Sequence, residues 1–119
     1  MLVVEDNPDV RRLLVLYLRG RYEVVEAATG EEAFRIVQER PVDAILMDIN
    51  LPGDWSGLDA ARAIRALPGM AHVPIIAQTA YAALFDEQQV LAAGCSYYMN
   101  KPIYRHELLS VLERFLSHP

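Results

Sequence analysis

Four places in this 119-residue chain carry side chains suited to handling a phosphoryl group: the acidic pair Glu5-Asp6, then Asp48, Thr79 and the lone lysine, Lys101. Three carboxylates brought close together repel one another at neutral pH unless they are protonated or bridged by a hard cation. Magnesium is the natural bridge, because it takes a few oxygen ligands, keeps waters and accepts phosphate oxygens. In such a setting Lys101 can neutralise phosphoryl oxygens and Thr79 can donate a hydrogen bond, which leaves Asp48 as nucleophile or metal ligand. The other long basic side chains are all arginines, so a compact ammonium is singled out at position 101. Taken singly, Asp48 is an ordinary turn starter or helix cap and a single lysine is a compositional accident. Only convergence would give these residues a joint chemistry.

The elements must supply that convergence. Asp48 ends the apolar run Ala44-Ile45-Leu46-Met47, and a loop rich in Pro, Gly, Asp and Ser leads from it to Gly57. A short apolar run bounded by turn residues reads as a strand buried on both faces, as parallel sheets covered by helices require. Ligands of such sheets bind outside the carboxyl ends of the strands, which is where Asp48 falls. The run at residues 1–4 stops in the same manner at Glu5-Asp6-Asn7-Pro8, where Asn7 can cap a helix and Pro8 suits its first turn. Val10, Leu13, Leu14, Tyr17 and Leu18 then recur at helical spacing up to Gly20. Residues 22–26 are strand-like, and Thr29 with Glu32 has capping-box spacing for a second helix that carries Ala33, Ile36 and Val37 inward and closes at Pro41. A third helix is predicted over 58–67, with Leu58, Ala61 and Ile64 on one face and Pro68-Gly69 as its break. A fourth strand over 73–77 runs into Gln78-Thr79-Ala80, and a helix from about 82 to 93 follows. The fifth strand, 95–99, leads into Asn100-Lys101-Pro102, and the last helix, from about 104 to 116, turns Leu108, Leu109, Leu112, Phe115 and Leu116 inward.

Five strands alternating with five helices predict an α/β fold: a (βα)5 doubly wound five-stranded parallel sheet, forming a single domain over residues 1–119. Right-handed crossovers leave few strand orders, and 2-1-3-4-5, the flavodoxin-like order, gathers Glu5, Asp6, Asp48, Thr79 and Lys101 into one crevice at the switch point of the sheet.

Composition narrows the function classes. A formal charge of −5 with scattered arginines argues against a nucleic-acid surface. No apolar run is long enough to span a bilayer, and the basic region and apolar core of a signal peptide are missing, so the cytoplasm is the expected compartment. The single cysteine, Cys95, excludes an internal disulfide and has no basic sequence neighbour to activate it. His72, His106 and His118 lack metal-ligand spacing and read as solvated surface.

The stretches V-V-E-D-N-P after strand one, M-D-I-N-L-P-G at strand three, T-A after strand four and K-P-I after strand five resemble the receiver domain of two-component response regulators, in the right order and over the whole chain. The resemblance implies that a histidine kinase or a histidine phosphotransfer protein donates a phosphoryl group to Asp48 with Mg²⁺ as cofactor. Asp6 would bind the metal directly, Glu5 through water, and Asn50 through its backbone carbonyl. Lys101 and Thr79 would bind the phosphoryl group, and the peptide before Pro102 would be cis. Such a domain is not a classical enzyme, although it catalyses its own phosphorylation and dephosphorylation. The resemblance further implies a switch, in which Thr79 moves inward and Tyr98 follows while Tyr97 points the other way. The readout would be the face of helix four, strand five and helix five, offered to an unknown downstream protein or to a second copy in a homodimer.

Three features depart from the family pattern. The loop Gly53-Asp54-Trp55-Ser56 is one residue longer than usual and is expected to expose Trp55 near the site. Tyr81, two residues after Thr79, is large enough to shield an acyl phosphate and predicts slow autodephosphorylation. The first strand starts almost at the first residue, so a few residues are expected to precede it. Local phrases such as Ala93-Gly94-Cys95 and Lys101-Pro102-Ile103 lean toward a receiver of a hybrid histidine kinase over a single-domain regulator. Competing readings are a degenerate receiver serving as a docking module, a Mg²⁺-dependent aspartyl phosphohydrolase, and a nucleotide or FMN binder, which Glu5-Asp6-Asn7 would disfavour by repelling phosphate.

Overall fold

The computed structural model describes residues 1–80 and 87–116. In chain order the elements are β1 (Leu2–Val4), α1 (Pro8–Leu18), β2 (Val25–Ala27), α2 (Gly30–Glu39), β3 (Ile45–Asp48), α3 (Gly57–Arg65), β4 (Ile75–Thr79), α4 (Glu87–Ala92), β5 (Tyr97–Asn100) and α5 (Arg105–Leu116). All four strand pairings are parallel and the sheet order is β2-β1-β3-β4-β5, as the pattern predicts. The predicted beginning of helix four lies outside the described residues.

Alternation along the strands feeds two cores. Leu2, Val4, Ile45, Met47, Ile75 and Ala77 point to the side covered by α2, α3 and α4. Met1, Val3, Leu46, Ile76 and Met99 point to the side covered by α1 and α5. The helices start where local chemistry starts them. Asn7 accepts from the backbone N–H groups of Asp9 and Val10, with Pro8 in the first turn of α1. Thr29 Oγ1 accepts from Glu32 N, while the Glu32 carboxylate reaches back to Ala28 N at 2.9 Å, one residue earlier than the cap itself. A full capping box between Ser56 and Asp59 opens α3.

Strands two, four and five begin later than the apolar runs suggest, because the backbone at each start is already committed. Arg21 and Tyr22 both donate to Leu18 O and close the turn after α1. Val73 O accepts from Arg65 and Pro74 O from Ile45 N. Gly94 N and Cys95 N donate to Leu91 O and Val90 O at the end of α4. Leu13, expected inward, is exposed, because α1 presents Leu14 and Leu18 to the core and leaves Leu13 on a groove wall.

Candidate functional site

Each predicted polar residue reaches the carboxyl edge of the sheet by a local device. Glu5 follows β1, with its N–H on Ala27 O at 3.0 Å, its carbonyl accepting from Arg11 Nη1 and its Oε2 accepting from Asn7 N. Asp48 ends β3 in register with Gln78 of β4. The chain then curls: Asn50 N donates to Asp48 Oδ1 at 3.0 Å, and Gly57 N returns to Ile49 O at 2.8 Å. Thr79 is the last residue of β4, one position beyond the partner of Asp48, and its carbonyl accepts from Lys101 N at 2.8 Å. The Lys101–Pro102 peptide is cis.

These devices bring the groups together. The Lys101 ammonium lies 2.7 Å from Glu5 Oε1 and 3.0 Å from Asp48 Oδ2. Glu5 and Asp48 are almost wholly covered, at 1% and 2% exposure, whereas Asp6 is open to solvent. Carboxylate oxygens of Glu5, Asp6 and Asp48 all lie within 4.8 Å of one another. Two buried oxygen donors and one solvent-facing donor form a set that fits a hard divalent cation, which takes carboxylate oxygens and keeps waters. Burial, then the neighbouring Asp48 carboxylate, raises the pKa of Glu5 against the opposing pull of Lys101. For Lys101 burial works downward, but its bonds to Glu5 and Asp48 outweigh it and the pKa is raised.

Asn50 does more than its expected carbonyl role. Its side-chain Nδ2 donates to Thr79 Oγ1 at 2.7 Å, a contact that depends on the curl of the loop and leaves no sequence signal. Gln78 is a second residue the sequence reading passed over, although a polar residue inside a buried strand is itself a signal. It is 1% exposed, neither of its amide atoms has a hydrogen-bond partner among the described residues, and it lines a cavity of about 560 Å³ with Val10, Leu14, Lys101 and Ile103.

Trp55 corrects an expectation. It is half-buried, with its ring edge-on to Phe34 of α2 at 5.4 Å, because Gly53 takes a positive φ and folds the longer loop back onto that helix. Tyr98 and Tyr97 face opposite sides as alternation requires: Tyr98 toward the α2/α3/α4 side with its hydroxyl buried, and Tyr97 toward Phe115. Cys95 is buried, and burial pushes its thiol pKa up to about 11 against the opposing pull of Arg65 and Arg62. His72 and His106 are exposed. Tyr81 and His118 lie outside the described residues.

Residues 1–113 match the response regulator receiver domain family, and the chain belongs to that family. It is 32% identical over 118 residues to the polar-differentiation response regulator DivK of Brucella ovis, covering 98% of this chain and 95% of that protein. Among solved structures, the receiver domain of sensor histidine kinase PA1611 from Pseudomonas aeruginosa PAO1 superposes with a TM-score of 0.88 at 42% identity, over 96% of this chain and 93% of that one. That structure holds a magnesium ion in its active-site cleft. The receiver domain of the Saccharomyces cerevisiae response regulator Ssk1, crystallised with the histidine phosphotransfer protein Ypd1, gives 0.86 at 31% identity, over 96% and 86% of the two chains. The protein is thus a receiver domain of two-component signalling. No helix among the described residues is long and apolar enough to cross a membrane.

Proposed function

We propose that the chain accepts a phosphoryl group onto Asp48 from a phosphohistidine of a histidine kinase or phosphotransfer protein. The observation that carries this reading is the Lys101 ammonium held between two covered carboxylates, Glu5 and Asp48, that are remote in sequence. An Asp48 carboxylate oxygen forms the new O–P bond, the P–N bond to the donor imidazole breaks, and its electron pair returns to the ring nitrogen. Oδ1 stays on the Asn50 N–H, while Lys101, on a flexible stem, moves from Oδ2 to a phosphoryl oxygen. Glu5, Asp6, Asp48 and the Asn50 carbonyl would hold Mg²⁺, which would supply neutralisation of charge on the transferring group. Thr79 donates its hydroxyl to a phosphoryl oxygen. Tyr98 follows Thr79 and reshapes the face formed by α4, β5 and α5, which meets a downstream protein or a second copy of the chain. The buried Tyr98 hydroxyl, without a hydrogen-bond partner among the described residues, supports a side chain ready to find new partners. Hydrolysis of the acyl phosphate by the domain itself is slow, on the ground that the residue two after Thr79 in the sequence, Tyr81, is large. The domain works alone or as the receiver of a hybrid kinase.

Intact mass after incubation with acetyl phosphate and Mg²⁺ tests the reading. One phosphoryl group is expected on the wild type and none on Asp48→Asn or with chelator, and Tyr81→Ala should lose its phosphate faster. No gain in the wild type, with beryllofluoride also failing to bind, would favour the docking-module reading.

A further inference from the structure

Gln78 carries chemistry that the phosphoryl site does not use. It keeps the phase of Ile76 along β4 and so points to the side of α1 and α5, where it floors a cavity of about 560 Å³. Val10, Leu13 and Leu14 of α1 form one wall, and Pro102 and Ile103 form the other. Leu13 and Tyr104 are exposed at the rim, whereas Gln78 is 1% exposed. Buried side-chain amides are nearly always bonded, yet neither its Oε1 nor its Nε2 has a partner among the described residues. An apolar side chain would suit this floor without the cost of an unpaired amide.

We propose that this cavity binds a small neutral molecule built of an apolar body and a carboxamide or lactam edge. Its volume is that of a small-molecule pocket, and so is its pattern of apolar walls around one placed polar group. The glutamine amide offers an acceptor oxygen beside N–H donors, so its complement presents a donor and an acceptor side by side. A carboxylate brings acceptors only and would leave Oε1 unmatched. Charge is unwelcome for a second reason: Lys101 is the only charged residue lining the cavity, and its ammonium is already held by Glu5 and Asp48. The last torsion of a glutamine is broad, so the amide can turn toward an incoming edge at small cost. Gln78 lies in the sheet, beneath the exposed residues of the rim, so a molecule entering the cavity reaches it and a protein surface resting across the rim does not. This site does not depend on the phosphoacceptor reading, and binding is read on the unphosphorylated protein.

The test sets benzamide, benzoate and toluene against the wild-type chain and Gln78→Met, which keeps the length of the side chain and removes its amide. Benzamide should shift ¹H–¹⁵N signals of the two walls, with an affinity about ten-fold or more above that of benzoate or toluene, the worth of two neutral hydrogen bonds. Gln78→Met should lose that preference and bind toluene at least as well as the wild type does. Without ligand the same variant should melt a few degrees higher, because an apolar chain has replaced an unpaired amide. A Gln78→Met midpoint below that of the wild type would mean that the amide is bonded in solution, and would overturn the proposal. So would benzamide shifts that are absent, that fall outside the cavity or that persist unchanged in Gln78→Met. Wall signals that move on dilution with no ligand present would put a second copy of the chain in the groove, and would overturn it equally.

Discussion

Lys101 stands between Glu5 and Asp48 as a cation would, and Glu5 is the residue that bears the cost of that arrangement. Its carboxyl is buried beside a second carboxylate, and its pKa is raised above the ordinary 4.5. A carboxyl raised on folding favours the folded state while protonated, so its stabilisation is complete below the unfolded value and is lost as pH climbs through the raised one. Lys101, also raised, contributes stability below its ordinary 10.5 that disappears only as pH rises through its own folded value. Glu5→Gln should therefore raise the urea midpoint of the metal-free protein at neutral pH. The advantage should fade as pH falls through the raised Glu5 pKa toward 4.5, which urea titrations at several pH values would show. The same change should weaken Mg²⁺ binding roughly ten-fold or more and slow phosphorylation, because the site is tuned for a metal at the expense of the empty fold. The candidate residues were legible in the sequence because each stands where an apolar run meets a polar turn. The Asn50–Thr79 bond was not, since it depends on side-chain directions that only the packed strands define, and of Gln78 the sequence shows a polar residue inside a buried strand but not the apolar cavity it faces.

The loop between β3 and α3 has to return the chain tightly over Asp48, and one position allows it. A Cβ on Gly57 would lie 2.0 Å from Asp48 O and 2.7 Å from Ile49 Cα, both backbone atoms that cannot move without shifting the acceptor carboxylate. Gly57→Ala should destabilise the protein by about 3 kcal/mol or more and depress phosphorylation of whatever remains folded. Ser56→Ala, one residue earlier, removes only the capping box and should cost about 1 kcal/mol with little change in phosphorylation rate. Thermal melts and acetyl phosphate rates on the two variants would separate a loop that shapes the site from a cap that stabilises a helix. A loss in Gly57→Ala no larger than that in Ser56→Ala would contradict this account. At this scale the sequence revealed the number, type and order of elements, because hydrophobic period and breakers are local. It placed the Thr29 cap and the Pro8 start, yet began three strands early, because backbone groups at those starts are taken by partners distant in the chain.

Across the whole molecule the two ends of the sheet do different work. The carboxyl edge concentrates Glu5, Asp48 and Lys101, whose mutual charges serve the site, while the opposite end of β4 and β5 is tied by one guanidinium. Arg65, at the end of α3, donates to Gly94 O through Nε and Nη2 at 2.9 and 2.6 Å, to Met70 O and Val73 O through Nη1, and to Ser96 Oγ. Ser96 in turn accepts from Ile75 N and donates its own N–H to Ile75 O, so the clasp joins α3, the entry to β4 and the entry to β5. Only a planar fork can serve three carbonyls arriving from two separate connections at once, and a lysine ammonium with three donors on one atom cannot. Arg65→Met keeps the apolar stem and leaves those carbonyls without their partner, which should cost about 2–4 kcal/mol, with Arg65→Lys recovering a minor part. Urea denaturation should show a lower midpoint at an unchanged slope, the mark of lost stability without a change in compactness. Because the clasp sits at the far end of the strands from Asp48, Mg²⁺ binding and the rate of phosphorylation at a temperature where the variant stays folded should match the wild type. A phosphorylation rate that fell in step with stability would instead mean that the two ends of the sheet are coupled through β4, whose last residue is Thr79.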